Sequence, residues 1–412
     1  MGFVSALEIR TIGGVDEWQL LRWTNSDGDA LPLEPPRVDA PVDAPPVPFG
    51  IAYPLPLPSV GRVYLWADGF AARTKSILLE RELASRYIKA SSAMVRQYGR
   101  RGAVMDEAET LLKDAQQAFQ QEQFLPSLAL GVQAAERSAI SVARARVQRM
   151  HGRTAFLWGV CASDATLAQH AIERLHPPLN LIHLAIHTPD EAWRRIADTA
   201  QGARMAIAVS LAPCIDATAH TPNTDALRDA ITAFRGQARY WTVATRLHQA
   251  TPTPQMLTHI RQLCEVARAV DFGVVRLLHG SQSLYHRQAA YPALDACVQA
   301  HVPFESVHLE WRWYDGTLYD LDQLLERYGN LGKSIHLTLH LPPTGSYEVF
   351  TRTTPAEWTE GAALIALSKP YVAALRLPVQ GSETTAGALN GEPSEHWQRL
   401  VQLSDWNRSL QD

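Results

Sequence analysis

From about residue 154 onward, short apolar runs rich in β-branched residues alternate with longer amphipathic stretches. Strands that alternate with helices in this way form parallel sheets. Eight such units in about 260 residues match the size of a closed barrel, so the pattern predicts an α/β fold of the (β/α)8 TIM barrel type. The predicted strands are AFLWGVCA, LNLIHLAIH, MAIAVSLAP, ARYWTVATR, FGVVRLLHG, FESVHLEWRWY, SIHLTLHLP and VAALRLPVQ.

Two differently patterned segments precede the predicted barrel, which we place at residues 151–412. Residues 1–73 predict a small β module, because VSALEIR, EWQLLRW and GRVYLWADG have the character of short strands. The proline-rich stretch 32–58 favours an extended surface connector over a helix or a central strand. Residues 74–150 predict a helical region of three stretches, one of which repeats apolar residues at helical spacing: Leu111, Leu112, Ala115 and Phe119.

The composition narrows the class of protein without identifying a function. The chain has 412 residues, of which 46% are hydrophobic and 19% charged, with a formal net charge of −4 and a pI near 6.4. These values predict a soluble globular protein with no nucleic-acid partner and no membrane insertion. The first residues lack the pattern of a secretory leader, which predicts a cytoplasmic location.

Neither the cysteines nor the histidines have the spacing of a metal site. The four cysteines lie far apart without a C-x-x-C pair and are expected to be buried thiols: Cys161, Cys214, Cys264 and Cys297. Two histidine pairs, His183/His187 and His336/His340, are four residues apart, which on a strand separates their members by about 13 Å. They are interpreted as satisfied polar residues in or beside the barrel wall. Nucleotide-binding glycine motifs are also missing, so we expect no cofactor and no metal.

Three strand ends carry a resemblance to a known family. YWTVATRLH in the fourth strand is similar to the Trp-Asp-Val-Val-Asn-Glu-like motif of glycoside hydrolase family 10 (xylanase-type) barrels, and GKSIHLTLHLP in the seventh is similar to their Ile-Thr-Glu-like motif. VHLEWRWYDG in the sixth strand resembles the Gly-Leu-Gln-x-His strand of that family, and AGALNGEP resembles the loop after strand eight. The resemblance covers roughly residues 155–400 and implies a bacterial barrel of this family.

The resemblance also implies that both catalytic carboxylates are missing. Arg246 occupies the position of the acid/base glutamate, Thr245 that of the preceding asparagine, and Leu339 that of the nucleophile. Arginine keeps its proton and leucine has no polar group, so neither can serve a retaining glycosidase. The chain is therefore interpreted as a degenerate member without catalytic residues.

The same alignment gives a set of candidate binding residues at the barrel mouth. Glu310 and Arg312 lie two apart on one strand and face the same side, and neighbouring cations lower the pKa of a carboxyl group. Glu310 is accordingly interpreted first as an ion-pair member, with ligand contact and catalysis as alternatives. Trp313 and Tyr314 suit either a stacking platform or a loop anchor. The full set is Thr245, Arg246, His279, Glu310, Arg312, Trp313, Tyr314 and Leu339.

Two functional hypotheses of different classes follow. The favoured one is a non-catalytic family 10-like barrel that acts as a binding, scaffolding or assembly protein, with a carbohydrate or a protein as its partner. The alternative is a carbohydrate-active enzyme, an endo-β-1,4-xylanase-like glycosidase that uses shifted carboxylates. Two carboxylates about 5–10 Å apart across an open mouth would favour the enzyme. A mouth filled by Leu339, Arg246 and aromatic side chains would favour the binding protein.

Overall fold

A computed structural model of the chain describes residues 6–12, 18–38, 41–45, 47–57, 61–71, 74–175, 178–211, 222–249, 252–341, 354–379 and 394–411, and the structural statements below concern these residues. Cys214 and the stretch AGALNGEP lie outside them.

The chain begins with short strands and three helices and continues as alternating strands and helices. The first part contains β1 (Ala6–Arg10), β2 (Arg22–Thr24), β3 (Pro41–Asp43), β4 (Phe49–Leu57), β5 (Gly61–Phe70), β6 (Ser76–Leu78), α1 (Leu79–Gly99), α2 (Asp106–Gln120) and α3 (Phe124–Arg149). The second part contains β7 (Leu157–Ala162), α4 (Ala165–Leu175), β8 (Leu181–Ile186), α5 (Glu191–Gly202), β9 (Ala206–Leu211), α6 (Thr224–Ala233), β10 (Tyr240–Ala244), α7 (Pro254–Val270), β11 (Val275–Ser283), β12 (Gln288–Ala289), α8 (Tyr291–Gln299), β13 (Ser306–Arg312), α9 (Leu318–Gly329), β14 (Ser334–His340), α10 (Pro355–Leu367), β15 (Val372–Val379) and α11 (Glu395–Ser409). None of the described helices is both long enough and apolar enough to cross a membrane.

Eight strands of the second part close into a parallel barrel. The order runs from β10 through β9, β8, β7, β15, β14 and β13 to β11, and β11 then pairs with β10. The short strand β12 only extends β11 in antiparallel fashion. The predicted (β/α)8 TIM barrel is confirmed, and each predicted strand overlaps one observed strand. The carboxyl ends of these strands define the barrel mouth.

The outer face of the barrel strands is apolar and packs against the surrounding helices. In β14, Ile335, Leu337 and Leu339 are all fully buried in this core. Trp241 of β10 is buried in the same layer against Phe234. Because side chains alternate along a strand, the residues between these positions face the barrel interior.

The N-terminal strands form two small sheets, with the orders β3-β1-β6 and β2-β4-β5. The second sheet contradicts part of the prediction that residues 32–58 form an extended connector. Residues 49–57 of this proline-rich stretch form the central strand of the sheet. β2 pairs only with Gly50–Ala52, whereas β5 accompanies β4 as far as Leu57. At Pro54 and Pro56 one side of β4 is therefore an open edge, where a residue without an N–H is tolerated.

Charged side chains fix the N-terminal elements to helix α9 of the barrel. Asp320, in the first turn of α9, accepts hydrogen bonds from Arg86 Nη1 at 3.0 Å and from the Tyr87 hydroxyl at 2.8 Å. Arg327 of the same helix donates to both carboxylate oxygens of Asp29, each at 2.7 Å. These contacts hold α1 and the segment after β2 against α9, and strand β5 lies beside the turn that follows β13.

Candidate functional site

The barrel interior changes from apolar to polar along the strands. Near the amino-terminal ends of the strands it is filled by an apolar cluster of Leu157, Leu181, Ala206, Ala208, Tyr240 and Ala374. The next layer towards the mouth is polar and consists of almost fully buried side chains from four strands: His183, His308, His336 and Arg376. Bulky branched residues commonly fill this region of such barrels, so a layer of three imidazoles and a guanidinium is a specific feature of this chain.

Arg376 orders two of the three imidazoles. Its Nη1 donates to His183 Nδ1 at 3.1 Å, and its Nη2 donates to His336 Nδ1. Both Nδ1 atoms are acceptors, which places the ring proton of each imidazole on Nε2. His183 Nε2 then donates to Ser210 Oγ at 3.0 Å. The third imidazole, His308, uses its Nε2 for a 2.9 Å hydrogen bond with Thr338 Oγ1.

The protonation states of this layer follow from burial. Burial, reinforced by the charge of Arg376, holds the pKa values of His183, His308 and His336 well below the ordinary 6.5. Burial also lowers the pKa of Arg376, to about 10, which still leaves the guanidinium charged at neutral pH. The layer therefore contains a buried positive charge surrounded by neutral imidazoles.

Glu310 lies one layer higher, at the mouth, and contacts three basic side chains. Its Oε1 is 3.2 Å from His279 Nε2, and its Oε2 is 3.3 Å from Arg312 Nη2 and 3.6 Å from His340 Nε2. Burial alone would raise the pKa of Glu310, but the contacts with His279 and His340 outweigh it and hold the pKa well below the usual range. Arg312 is fixed by a second hydrogen bond, from Nη1 to Ser281 Oγ at 2.9 Å. Glu310 is thus an ionised carboxylate in an ion-pair cluster.

A second carboxyl group, Asp315, lies in the turn that ends β13. It accepts hydrogen bonds from Ser283 Oγ and from the backbone N–H of Arg312. Burial raises its pKa to about 7, against the opposing effect of these donors. Asp315 therefore stabilises the chain reversal after β13.

The structure brings together only part of the predicted site. His279, Glu310 and Arg312 form one cluster. Thr245 and Arg246 follow β10 at the rim, where Arg246 is exposed and has a left-handed backbone with a φ of 59°.

Leu339 does not belong to the mouth, which corrects its assignment to the nucleophile position. It is fully buried in the core between the barrel and the helices. Its neighbours Thr338 and His340 face inwards, towards His308 and Glu310 respectively. An alignment that is one residue out of step exchanges the two faces of a strand, and the mouth position belongs to His340.

Several polar residues of the interior are absent from the predicted site. His308 and Arg376 lie in the middle of apolar strands, and neither occupies a position that the resemblance assigns to the site. His248, in the turn after β10, accepts a hydrogen bond on Nδ1 from the backbone N–H of Ser281 at 3.2 Å. Burial and the neighbouring His279 lower its pKa to about 4. The available signal was strict alternation, since SIHLTLHL places polar residues at every second position from His336 to His340.

Beside the mouth, an aromatic cleft of about 460 Å³ separates the β2-β4-β5 sheet from the barrel. Tyr285 lies 5.5 Å from Tyr314 and 6.4 Å from Tyr64 between ring centroids, and Trp313 lies 5.6 Å from Tyr314. Tyr285 is 48% exposed. The lining residues are Leu20, Pro54, Arg62, Tyr64, Tyr285, Trp313 and Tyr314. The predicted pair Trp313 and Tyr314 thus forms one wall of a larger aromatic surface, and Tyr64 and Tyr285 are additions from the structure.

Comparisons with known proteins find similarity in three-dimensional structure only. No protein-family model matches the chain, and no curated protein matches its sequence. Among solved structures, a glycoside hydrolase family 10 endoxylanase retrieved from sugarcane soil metagenome is similar, with a TM-score of 0.46 and 14% identity over 60% of this chain and 97% of that chain. A family 10 xylanase from Thermobacillus composti has a TM-score of 0.46 and 16% identity over 60% of this chain and 96% of that chain. The glycoside hydrolase family 53 catalytic domain of Ignisphaera aggregans has a TM-score of 0.45 and 12% identity over 60% of this chain and 95% of that chain.

Proposed function

We propose that the protein binds a carbohydrate in the aromatic cleft beside the barrel mouth and does not hydrolyse it. The observation that carries the proposal is the cleft itself, in which the partly exposed rings of Tyr285, Tyr314 and Trp313 border about 460 Å³ and the buried Tyr64 lies beneath them. The apolar faces of sugar rings stack on aromatic rings, and hydroxyl groups at the ring edges fix their orientation. Arg62, in the same cleft, adds a hydrogen-bond donor.

The carboxylates near the mouth argue against hydrolysis. A glycosidase needs a protonated acid and a second carboxylate facing it across the bond to be cleaved. Glu310 is held ionised, which is unsuited to an acid. Among the other described acidic residues that follow barrel strands, Asp164 and Asp190 accept backbone hydrogen bonds at the starts of helices α4 and α5, and Asp315 stabilises a turn.

An enzyme is the second candidate, and one observation favours it. The surroundings of Glu310 and Asp315 shift their pKa values in opposite directions, as in an acid and nucleophile pair. Asp315 is only 3% exposed, however, and it accepts hydrogen bonds from Ser283 at the end of β11 and from Arg312 at the end of β13. A substrate would have to displace these donors, so we place binding before catalysis.

Binding is tested with the full chain and soluble β-linked polysaccharides by affinity electrophoresis and calorimetry. Tyr285→Ala should weaken binding about two- to tenfold, since one stacked ring contributes roughly 0.5–1.5 kcal/mol. Phe272→Ala is the matched control, because Phe272 is also an exposed aromatic residue but lies at the opposite end of the barrel, between α7 and β11. Equal affinities for Tyr285→Ala and Phe272→Ala, or no retention of the unaltered protein, would overturn the proposal.

Hydrolysis is tested on the same polysaccharides by release of reducing ends. We expect none above buffer. Turnover that disappears in both Glu310→Gln and Asp315→Asn would establish the enzyme, with these two residues as its carboxylates.

A further inference from the structure

We propose that His279, His308 and Glu310 form a binding site for a divalent transition-metal ion of the zinc class at the barrel mouth. Each side chain offers one ligand atom, and the three atoms lie within 4.8 Å of one another. The residues come from the adjacent strands β11 and β13, whose register pairs His279 with His308 and Ser281 with Glu310. The site is separate from the aromatic cleft and does not depend on carbohydrate binding.

Unpartnered ring nitrogens supply a second, independent observation. Nδ1 of His308 is buried without a hydrogen-bond partner in the described chain, and Nε2 of His279 is buried beside Glu310 Oε1, 3.2 Å away, without hydrogen-bond geometry. A buried polar atom without a partner is costly, and native proteins rarely retain one without a reason. A metal ion bound between these nitrogens and Glu310 would satisfy one nitrogen on each ring.

One contact of the cluster has the spacing of two ligands of one metal ion. His279 Nε2 and Glu310 Oε1 are 3.2 Å apart, and two ligands of one tetrahedral zinc ion, each about 2.0–2.1 Å from it, lie roughly 3.3 Å apart. Thr338 Oγ1 forms a hydrogen bond with the other ring nitrogen of His308, Nε2. Hydrogen bonds of this kind fix the orientation of metal-binding imidazoles.

The neighbouring basic side chains determine which oxygen of Glu310 is available to a metal ion. Arg312 and His340 both approach Oε2 of Glu310, which leaves Oε1 on the side of His279. His248 lies further off, with its ring centroid 6.3 Å from that of His279, and Arg376 lies in the layer below. The charges of Arg312 and Arg376 oppose the charge of a metal ion, so we expect affinity weaker than that of structural zinc sites.

The donor set selects the class of ion. Two imidazoles and one carboxylate suit zinc or ferrous iron and leave at least one position open, whereas magnesium and calcium prefer oxygen ligands alone. His279, Glu310 and Arg312 retain partial exposure at the mouth, which gives an ion a path to the site. The absence of a metal motif in the sequence is explained by the register of β11 and β13, which joins residues about 30 positions apart.

The proposal is tested by titrating the chelator-treated full chain with Zn²⁺ in a calorimeter and with Co²⁺ by visible absorption. We expect one equivalent to bind, with the absorption of a nitrogen-ligated cobalt ion and a rise in melting temperature. His279→Gln and His308→Gln should each weaken binding at least tenfold, and Thr338→Val should weaken it about tenfold through His308. His187→Gln is the matched control, because His187 is exposed and also follows a barrel strand.

Two results would overturn the proposal. One is the absence of saturable Zn²⁺ binding and of the cobalt absorption in the unaltered chain, a measurement that needs no variant to fold. The other is binding that survives His279→Gln and His308→Gln, each shown to be folded by circular dichroism, or that falls equally in His187→Gln.

Discussion

The outer and inner faces of the barrel wall are made by the same strands and differ in chemistry. On β14 the outward residues Leu337 and Leu339 are buried among apolar side chains. The inward residues His336, Thr338 and His340 contact Arg376, His308 and Glu310 in turn. The outer face stabilises the fold, whereas the inner face places polar groups where apolar ones would pack more simply.

This difference indicates that the polar side chains of the barrel interior have a role other than stabilising the fold. Arg376 is fully buried, and its two terminal nitrogens donate to imidazoles. Arg376 Nε and His336 Nε2 have no hydrogen-bond partner in the described chain. Such a network fixes the orientations of the side chains just below the mouth, at some loss of stability.

The largest expected effect is on the outer face. Leu339→Ala should lower the free energy of unfolding by about 2–5 kcal/mol, because it leaves a cavity in a packed apolar core. Guanidinium unfolding measures the change. A loss below about 1 kcal/mol would mean that Leu339 lies outside the core and would support its assignment to the mouth.

A smaller loss of stability is expected on the inner face, from a substitution that keeps the shape of the side chain. Thr338→Val removes the hydroxyl that bonds His308 Nε2 while keeping the side-chain volume. It should lower the free energy of unfolding by about 1–3 kcal/mol, the cost of a buried nitrogen left without a partner. Thr338→Ser, which keeps the hydroxyl, is the control and should restore the hydrogen bond. Equal losses in both variants would show that packing, and not the hydrogen bond, is what matters there.

The two faces also differ in how far the sequence predicts them. The alternation of strands and helices depends on the outer, apolar residues, and it was sufficient to predict all eight barrel strands. The inner cluster depends on the register between strands, which brings His279 beside His308 and Arg376 beside His183. Local patterns contain no information about such pairs, and a motif alignment one residue out of step placed Leu339 on the wrong face.

The inner face should make stability depend on pH. His336 has a pKa well below 6.5 in the folded state, because burial and Arg376 disfavour its charged form. Below about pH 6.5 the unfolded chain therefore binds a proton that the folded chain does not, and stability falls as the pH falls. His336→Gln should reduce this slope by up to one proton, or about 1.4 kcal/mol per pH unit. Urea unfolding between about pH 5 and pH 7 measures it, and an unchanged slope would show that His336 titrates normally.

The smallest effect is expected at the rim, which belongs to neither face. Arg246 is exposed and has a φ of 59°, a conformation that costs a non-glycine residue roughly 1–2 kcal/mol. Arg246→Gly removes that strain but gives the unfolded chain more freedom, worth about 0.4–1 kcal/mol in the opposite direction. The two terms nearly cancel, and the contact of an exposed side chain is worth at most about 1 kcal/mol, so the melting temperature should stay within a few degrees of the original. A large destabilisation would instead show that the Arg246 side chain supports the turn after β10. Arg246 would then belong with the inner face, and its place in the alignment with an acid/base residue would regain structural meaning.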